Sequence, residues 1–342
     1  MVQFNGPYGK VPVSYLRNGG YNPPAEPTKT FEGKTVLITG CSSGIGYEAA
    51  LKVASLKPKK LILGNRTLAK AEVTKAKILA HVPSLDASVI EILPVEYTSF
   101  ASVSQFTEAV KRSTLTLDGV ILSVGVAQLK YEPVEDGWET TIKVNVLSAA
   151  LVAVELLPLL RATPGSVLEF VTSISYCNVT SLDVAPLIED PSASALKFFN
   201  DPGRWTTQRG YYEAKMMLMF VLQGLVESLG GSQGKLGDSK SPVLLACCPG
   251  QCKTDLYRNF PFAVRLFMFM FNAIIARTAE QGSRTLVTGI MQHEKANGRM
   301  WVNDQFDDWS PGLTEQEWSI LQKRVWAEVR SVLKAYKPEL AI

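Results

Sequence analysis

The octapeptide "TGCSSGIG", Thr39 to Gly46, follows directly on the apolar run "TVLI" and decides how the rest of the chain is read. It places glycines at 40, 44 and 46, where an apolar run gives way to helical spacing at Ile45, Ala49, Val53 and Leu56. Glycine takes left-handed backbone and close approach at no steric cost. Gly40 therefore suits a tight turn, Gly44 lets backbone N–H groups reach a ligand with no Cβ in the way, and Gly46 suits close packing of helix on sheet. A pyrophosphate set against this turn, along Ser42, Ser43 and Ile45, meets unsatisfied amides and the positive end of the helix dipole.

Outward from this turn the same pattern repeats. Apolar runs recur at 35–39, 61–64, 89–95, 119–123, 166–172, 243–248 and 299–303, most of them separated by stretches of helical spacing. Near-continuous apolar strands alternating with helices predict an α/β fold, a doubly wound parallel sheet covered on both faces, in a single domain over 33–342. Residues 1–32, rich in Pro, Gly, Asn and Tyr, read as an extension lying on the fold or without order. Near the end, Thr314 and Glu317 form a capping box ahead of the stripe Trp318, Leu321, Val325, Val329 and Val332, which is assigned to packing.

Composition excludes several classes. Lys and Arg number 35 against 32 Asp and Glu, and 46% of residues are hydrophobic, which disfavours both disorder and a polyanion partner such as nucleic acid. The five cysteines lack CxxC spacing and there are two histidines, so neither a disulfide framework nor a metal site is expected. The first residues do not read as a signal peptide, and a cytoplasmic location is expected. The run "LFMFMFNAIIA" (266–276) is far shorter than the ~20 residues of a membrane span, so it is read as a buried helix or lid. Contact with an intracellular membrane surface is the alternative.

The motif T-G-x-x-x-G-x-G resembles that of the short-chain dehydrogenase/reductase family, and further motifs follow in family order from about Lys34 to Arg284. "GYYEAK" carries Tyr211 and Lys215, which at i and i+4 share one helix face. Ser173 closes the fifth strand in "FVTSIS", and Asn145 sits in "TIKVNVLSAALVAVELLPLL". The resemblance implies a Rossmann-type domain with Asn145, Ser173, Tyr211 and Lys215 as the catalytic tetrad. Free tyrosine titrates near about 10, and a neighbouring ammonium lowers that value by favouring the phenolate. Ser173 would bond the substrate oxygen, and Asn145 would hold a water linking Lys215 to solvent. Tyr212 lacks the four-residue spacing to Lys215; Thr172 and Ser175 fit the serine position less well.

By the same resemblance, Asn145, Tyr211 and Lys215 also touch the cofactor, with Pro249, Gly250, Cys252 and Thr254 of "CCPGQCKTDL" near its nicotinamide and phosphates. Cys252 is read as a small packing residue. At the end of the second strand Asn65 replaces the acidic residue of NAD-binding enzymes and Arg66 follows, so NADP(H) is expected over NAD(H). Glu96 and Tyr97 stand where an Asp usually contacts adenine. The family's Asn-Asn-Ala-Gly appears as Leu122, Ser123, Val124 and Gly125, which would hold the sheet and present backbone to the ribose.

Residues 176–208 form an insertion before Tyr211, expected to wall the substrate pocket, with the apolar segment 256–280 as its lid. Their aromatic and Met content suits a bulky lipophilic ketone, aldehyde or alcohol, of polyketide, terpenoid, steroid or retinoid type, handled as a ketoreductase in secondary metabolism. A catalytically silent NADP-binding scaffold and a redox-neutral isomerase or cyclase are the alternatives. The apolar helix after Asn145 suits either core or a homodimer interface.

Overall fold

All the apolar runs singled out form strands: β1 (Thr35–Thr39), β2 (Lys60–Asn65), β3 (Ile90–Pro94), β4 (Gly119–Leu122), β5 (Val167–Val171), β6 (Val243–Cys247) and β7 (Met300–Val302). A two-residue β8 (Gln305–Phe306) adds a short edge. The structure is a computed structural model that describes residues 17, 19–253, 260–306 and 312–342. The sheet runs β3-β2-β1-β4-β5-β6-β7-β8, parallel through β7, with β8 antiparallel. Every residue of β1, β4, β5 and β6 is buried, as a sheet covered on both faces requires. Chain order reverses between β1 and β4, and in such sheets the ligand crevice opens at that switch point, beyond the carboxyl ends of the strands.

The helices are α1 (Gly44–Ser55), α2 (Leu68–His81), α3 (Phe100–Ser113), α4 (Thr140–Arg161), α5 (Ser181–Glu189), α6 (Ala195–Phe199), α7 (Thr207–Ser228), α8 (Phe262–Ile275), α9 (Ala279–Gly289) and α10 (Glu315–Tyr336). One core layer joins the sheet to α3, α4, α7 and α10, and the other joins it to α1 and α9. Among the described residues α4 is the one helix long and apolar enough to cross a membrane, but 89% of its apolar window is buried inside the fold, which makes it core. The capping box of α10 is present, with the Glu317 amide donating to Thr314 Oγ1 at 3.2 Å and the Thr314 amide to Glu317 Oε2 at 2.7 Å. Trp318, Leu321, Val325 and Val329 are buried, and Val332 packs at the edge of the same core.

The insertion folds into α5 and α6, which pack on α10 and bury Val184, Leu187, Leu196 and Phe199. The reason is chemical, since Glu328 of α10 accepts from Ser194 Oγ (2.7 Å), Ala195 N (2.8 Å) and Leu196 N (2.9 Å), satisfying the N-terminal amides of α6. The described part of the N-terminal extension also lies on the fold. Phe31 is buried against α1 and β1, and Arg284 donates to the Pro24 carbonyl at 3.2 Å.

Candidate active site

The glycine turn is dictated by close backbone contacts. Gly40 has φ +76°, and a Cβ there would lie 2.9 Å from the Val124 amide nitrogen. A Cβ at Gly46 would lie 2.4 Å from the Gly40 carbonyl oxygen and 2.6 Å from Ser123 Oγ. Gly44, at φ +61°, turns the chain into α1. Ser43 is the N-cap of α1 but makes no side-chain capping bond, and the first turn holds no acidic residue. The leading amides of α1 therefore face the crevice without a side-chain acceptor, which is what a pyrophosphate needs. Ser42 is exposed and Ile45 half-buried beside them.

At the end of β2, Asn65 is buried, with Oδ1 accepting from Cys41 Sγ at 3.5 Å and Nδ2 without a hydrogen-bond partner. A buried amide donor left unpaired costs roughly 1–3 kcal/mol, so this atom fits a ligand acceptor such as a ribose oxygen. Arg66 is exposed and its Nε lies 3.0 Å from Glu96 Oε2. Glu96 is thus tied to Arg66 at the crevice rim. Tyr97 departs from expectation: its side chain is buried in the core, its hydroxyl donates to Thr39 Oγ1 at 3.1 Å, and burial pushes its titration upward. It is a strut under β1, and its side chain cannot also reach an adenine.

The degenerate Leu122-Ser123-Val124-Gly125 keeps the sheet-holding role. Ser123 Oγ donates to the Thr39 carbonyl at 2.5 Å, fastening the end of β4 to β1, and Val124 packs at the core edge. Gly125 lies against two of the candidate catalytic side chains, for a Cβ there would be 3.7 Å from both Asn145 Oδ1 and Lys215 Nζ. Asn145 stands in a π-helical turn of α4, Lys143–Ser148, the kind of bulge that re-aims side chains at functional sites. Its Oδ1 accepts from Val126 N and its Nδ2 donates to Val126 O, both at 2.9 Å. These two bonds tie the Asn145 side chain to the loop after β4, beside Gly125.

Lys215 is buried, with Nζ donating to the Val171 carbonyl at 3.0 Å and lying 5.6 Å from the Tyr211 ring centre. Burial lowers its pKa to about 8, so it stays largely protonated at neutral pH. Ser173 begins the turn after β5, and its Oγ accepts from Ser175 N at 3.2 Å, which leaves its hydroxyl hydrogen to donate. Thr172 is buried and donates toward the Lys215 carbonyl at 3.5 Å, away from the crevice. Ser175 Oγ is buried without a hydrogen-bond partner beside Ser173, a second hydroxyl that spacing alone did not favour. Tyr212 lies edge-on to Tyr211 at 6.4 Å between ring centres, and burial raises its pKa.

Beyond β6, Gly250 has φ +73°, and a Cβ there would lie 3.3 Å from the guanidinium of buried Arg277. Cys252 is buried, donates to the Pro249 carbonyl at 3.3 Å, and is pushed up to about 12 by burial, the behaviour of a packing thiol. Thr254 lies outside the described residues, as does the start of the expected lid. The rest of that lid includes α8, whose Phe262, Leu266, Met270 and Ile274 recur every fourth residue and are all exposed. It is tethered to the β6 exit where Gln251 Nε2 donates to Asn272 Oδ1 at 2.8 Å. Sequence reasoning missed Arg204, Trp205 and Glu213, which pack the end of the insertion on α7 and carry no motif.

An open helix terminus on one side of the switch point, and a buried lysine held with an asparagine and a tyrosine on the other, define a dinucleotide-dependent oxidoreductase of Rossmann type. A short chain dehydrogenase profile matches residues 34–180. The chain is 62% identical to short-chain dehydrogenase sdnK of Sordaria araneosa, over 97% of this chain and 99% of that one. It is 35% identical to short-chain dehydrogenase/reductase ffsI of Aspergillus flavipes, over 93% and 91%. Among solved structures, an uncharacterized protein from Mycobacterium paratuberculosis superposes with a TM-score of 0.62 at 18% identity, over 91% of this chain and 98% of that one, a likeness of fold. The chain belongs to the short-chain dehydrogenase/reductase family, whose members bind NAD(P).

Proposed function

We propose that the protein is an NADPH-dependent reductase of a bulky lipophilic ketone or aldehyde, a tailoring step of secondary metabolism. The observation that carries this reading is the buried, charged Lys215 set beside Tyr211 and within reach of Gly125 and Asn145. Ser173 Oγ–H donates to the substrate oxygen, and the Tyr211 hydroxyl delivers the proton to that oxygen. The Lys215 ammonium stabilises the phenolate left behind until solvent returns a proton. Bound NADPH supplies the hydride that the carbonyl carbon receives.

The pyrophosphate would lie on the Gly40–Gly46 turn, the ribose near Asn65 Nδ2, and the 2′-phosphate on Arg66. The Arg66–Glu96 pair is largely exposed, with side chains 57% and 33% accessible, and such pairs are worth about 0–1 kcal/mol, so a phosphate can displace the carboxylate. Supporting a lipophilic substrate is the exposed apolar face of α8, which serves as its cover. Oxidation of NADPH against a panel of lipophilic ketones tests the reading. Tyr211→Phe should lower turnover by about 10²-fold or more. Tight NADPH binding without turnover by the wild type would instead favour a silent scaffold.

A further inference from the structure

The insertion returns to the catalytic helix through one guanidinium. Arg204 donates from Nη1 to Glu213 Oε2 (2.9 Å) and from Nη2 to Glu213 Oε1 (2.7 Å), a bidentate pair with side chains 13% and 3% accessible. The same group donates to the carbonyls of Phe198 (3.4 Å) and Asp183 (3.3 Å) and stacks 3.8 Å above the Phe198 ring. It therefore joins α5, α6 and α7 at a single point. Its neighbour Trp205 packs against Gly210, where a Cβ would be 2.4 Å from the indole Nε1. Arg209 completes the junction, donating to the Arg204 carbonyl at 3.1 Å and to Asp183 Oδ1 at 3.3 Å.

This junction sits where the reaction needs order. Tyr211 is only the fifth residue of α7, just past the leading amides that a helix cannot satisfy by itself and close to the end that frays first. Gly210 and Glu213, three apart, lie on a face turned to the insertion, while Lys215 reaches the β5 end. Stability alone does not call for such a pair, because buried ion pairs are often no better than apolar ones of the same size. Burial pushes Glu213 to about 7 in spite of Arg204, which shows how heavily the charge is desolvated. A planar, two-pronged contact fixes angle as well as distance.

We propose that Arg204 and Glu213 are positioning residues that hold the first turns of α7 against the insertion and so set the place of the Tyr211 hydroxyl. This rests on the reading of Tyr211 as the proton donor. Misplacing a reacting group by about 1 Å costs on the order of 10²-fold. Arg204→Lys and Glu213→Gln should each lower kcat between about tenfold and a hundredfold, with KM for NADPH unchanged.

The deciding variant is the double substitution Arg204→Met with Glu213→Leu, which leaves no unpaired buried charge and should melt close to the wild type. Its kcat should stay at least about tenfold low. A double variant that melts normally and turns over at the wild-type rate overturns the proposal. Hydrogen exchange read by mass spectrometry gives a second arm independent of turnover: amides at 207–212 should exchange faster in each variant while the sheet stays protected. Unchanged exchange there also overturns it. If the wild type reduces no carbonyl, the failure belongs to the catalytic reading, and the exchange result still decides whether this junction orders the helix.

Discussion

Replacing Lys215 by Met should separate stability from catalysis, because burial beside Tyr211 suits the proposed role of the lysine and not its solvation. Its Nζ lies 5.6 Å from the Tyr211 ring centre. With an effective dielectric of ~20, a unit charge at that distance is worth roughly 3 kcal/mol to the phenolate, or about 2 pK units. Loss of the ammonium therefore raises the tyrosine pKa by about that much, and the rise of kcat with pH in the alcohol-oxidising direction should move up by about 2 pH units.

Stability should go the other way. The fall of the Lys215 pKa from 10.5 to about 8 means that the folded protein holds the proton less firmly than the unfolded chain. Stability then rises with pH from about 8 to 10.5, and below 8 the buried charge costs on the order of 3 kcal/mol. The variant leaves the Val171 carbonyl without its lysine donor, a loss of about 1 kcal/mol, so a net gain remains near pH 7. Urea midpoints at pH 7 and pH 10, set beside pH–rate profiles, check both halves. An unshifted oxidation limb, or a variant less stable than wild type at pH 7, refutes the reasoning.

The crevice rim and the buried carboxylate of β5 give two further tests. Arg66→Ala should erase the proposed preference for NADPH over NADH, while Glu96→Gln should tighten NADPH by up to about fivefold by releasing the guanidinium, both read from dissociation constants by cofactor fluorescence. Glu169 is fully buried beside Cys247, and burial raises its pKa well above the carboxylate range. Its contribution is whole below about 4.5 and is lost at about 1.4 kcal/mol per pH unit as pH rises toward the folded value. Glu169→Gln should flatten the decline in stability between pH 5 and pH 8; a slope equal to the wild type's would show that Glu169 does not titrate as its burial demands.

Three features of the site depend on contacts that adjacency along the chain does not carry. Tyr97 was placed with Glu96 by family position, yet it lies in the turn that follows β3, and its side chain is buried in the core. The packing of residues 176–208 on α10 left no trace in the local sequence, because their helices are short and their anchor, Glu328, lies more than a hundred positions away. Asn145 was found by its motif, but what its amide bonds depends on where the loop after β4 runs.

What the sequence determined by itself was everything carried by spacing along the chain: the strand and helix alternation, the glycine turn at 40–46, and the shared face of Tyr211 and Lys215. These follow from backbone periods of 2 and 3.6 residues and from glycine's conformational range, which act over a few residues. Only the tertiary structure decided the partners: Arg66 with Glu96, Asn145 with Val126, Arg204 with Glu213, and Lys215 buried deeply enough to fall to about 8. Each is a matter of burial and of contact between distant segments, and desolvation has no period to read.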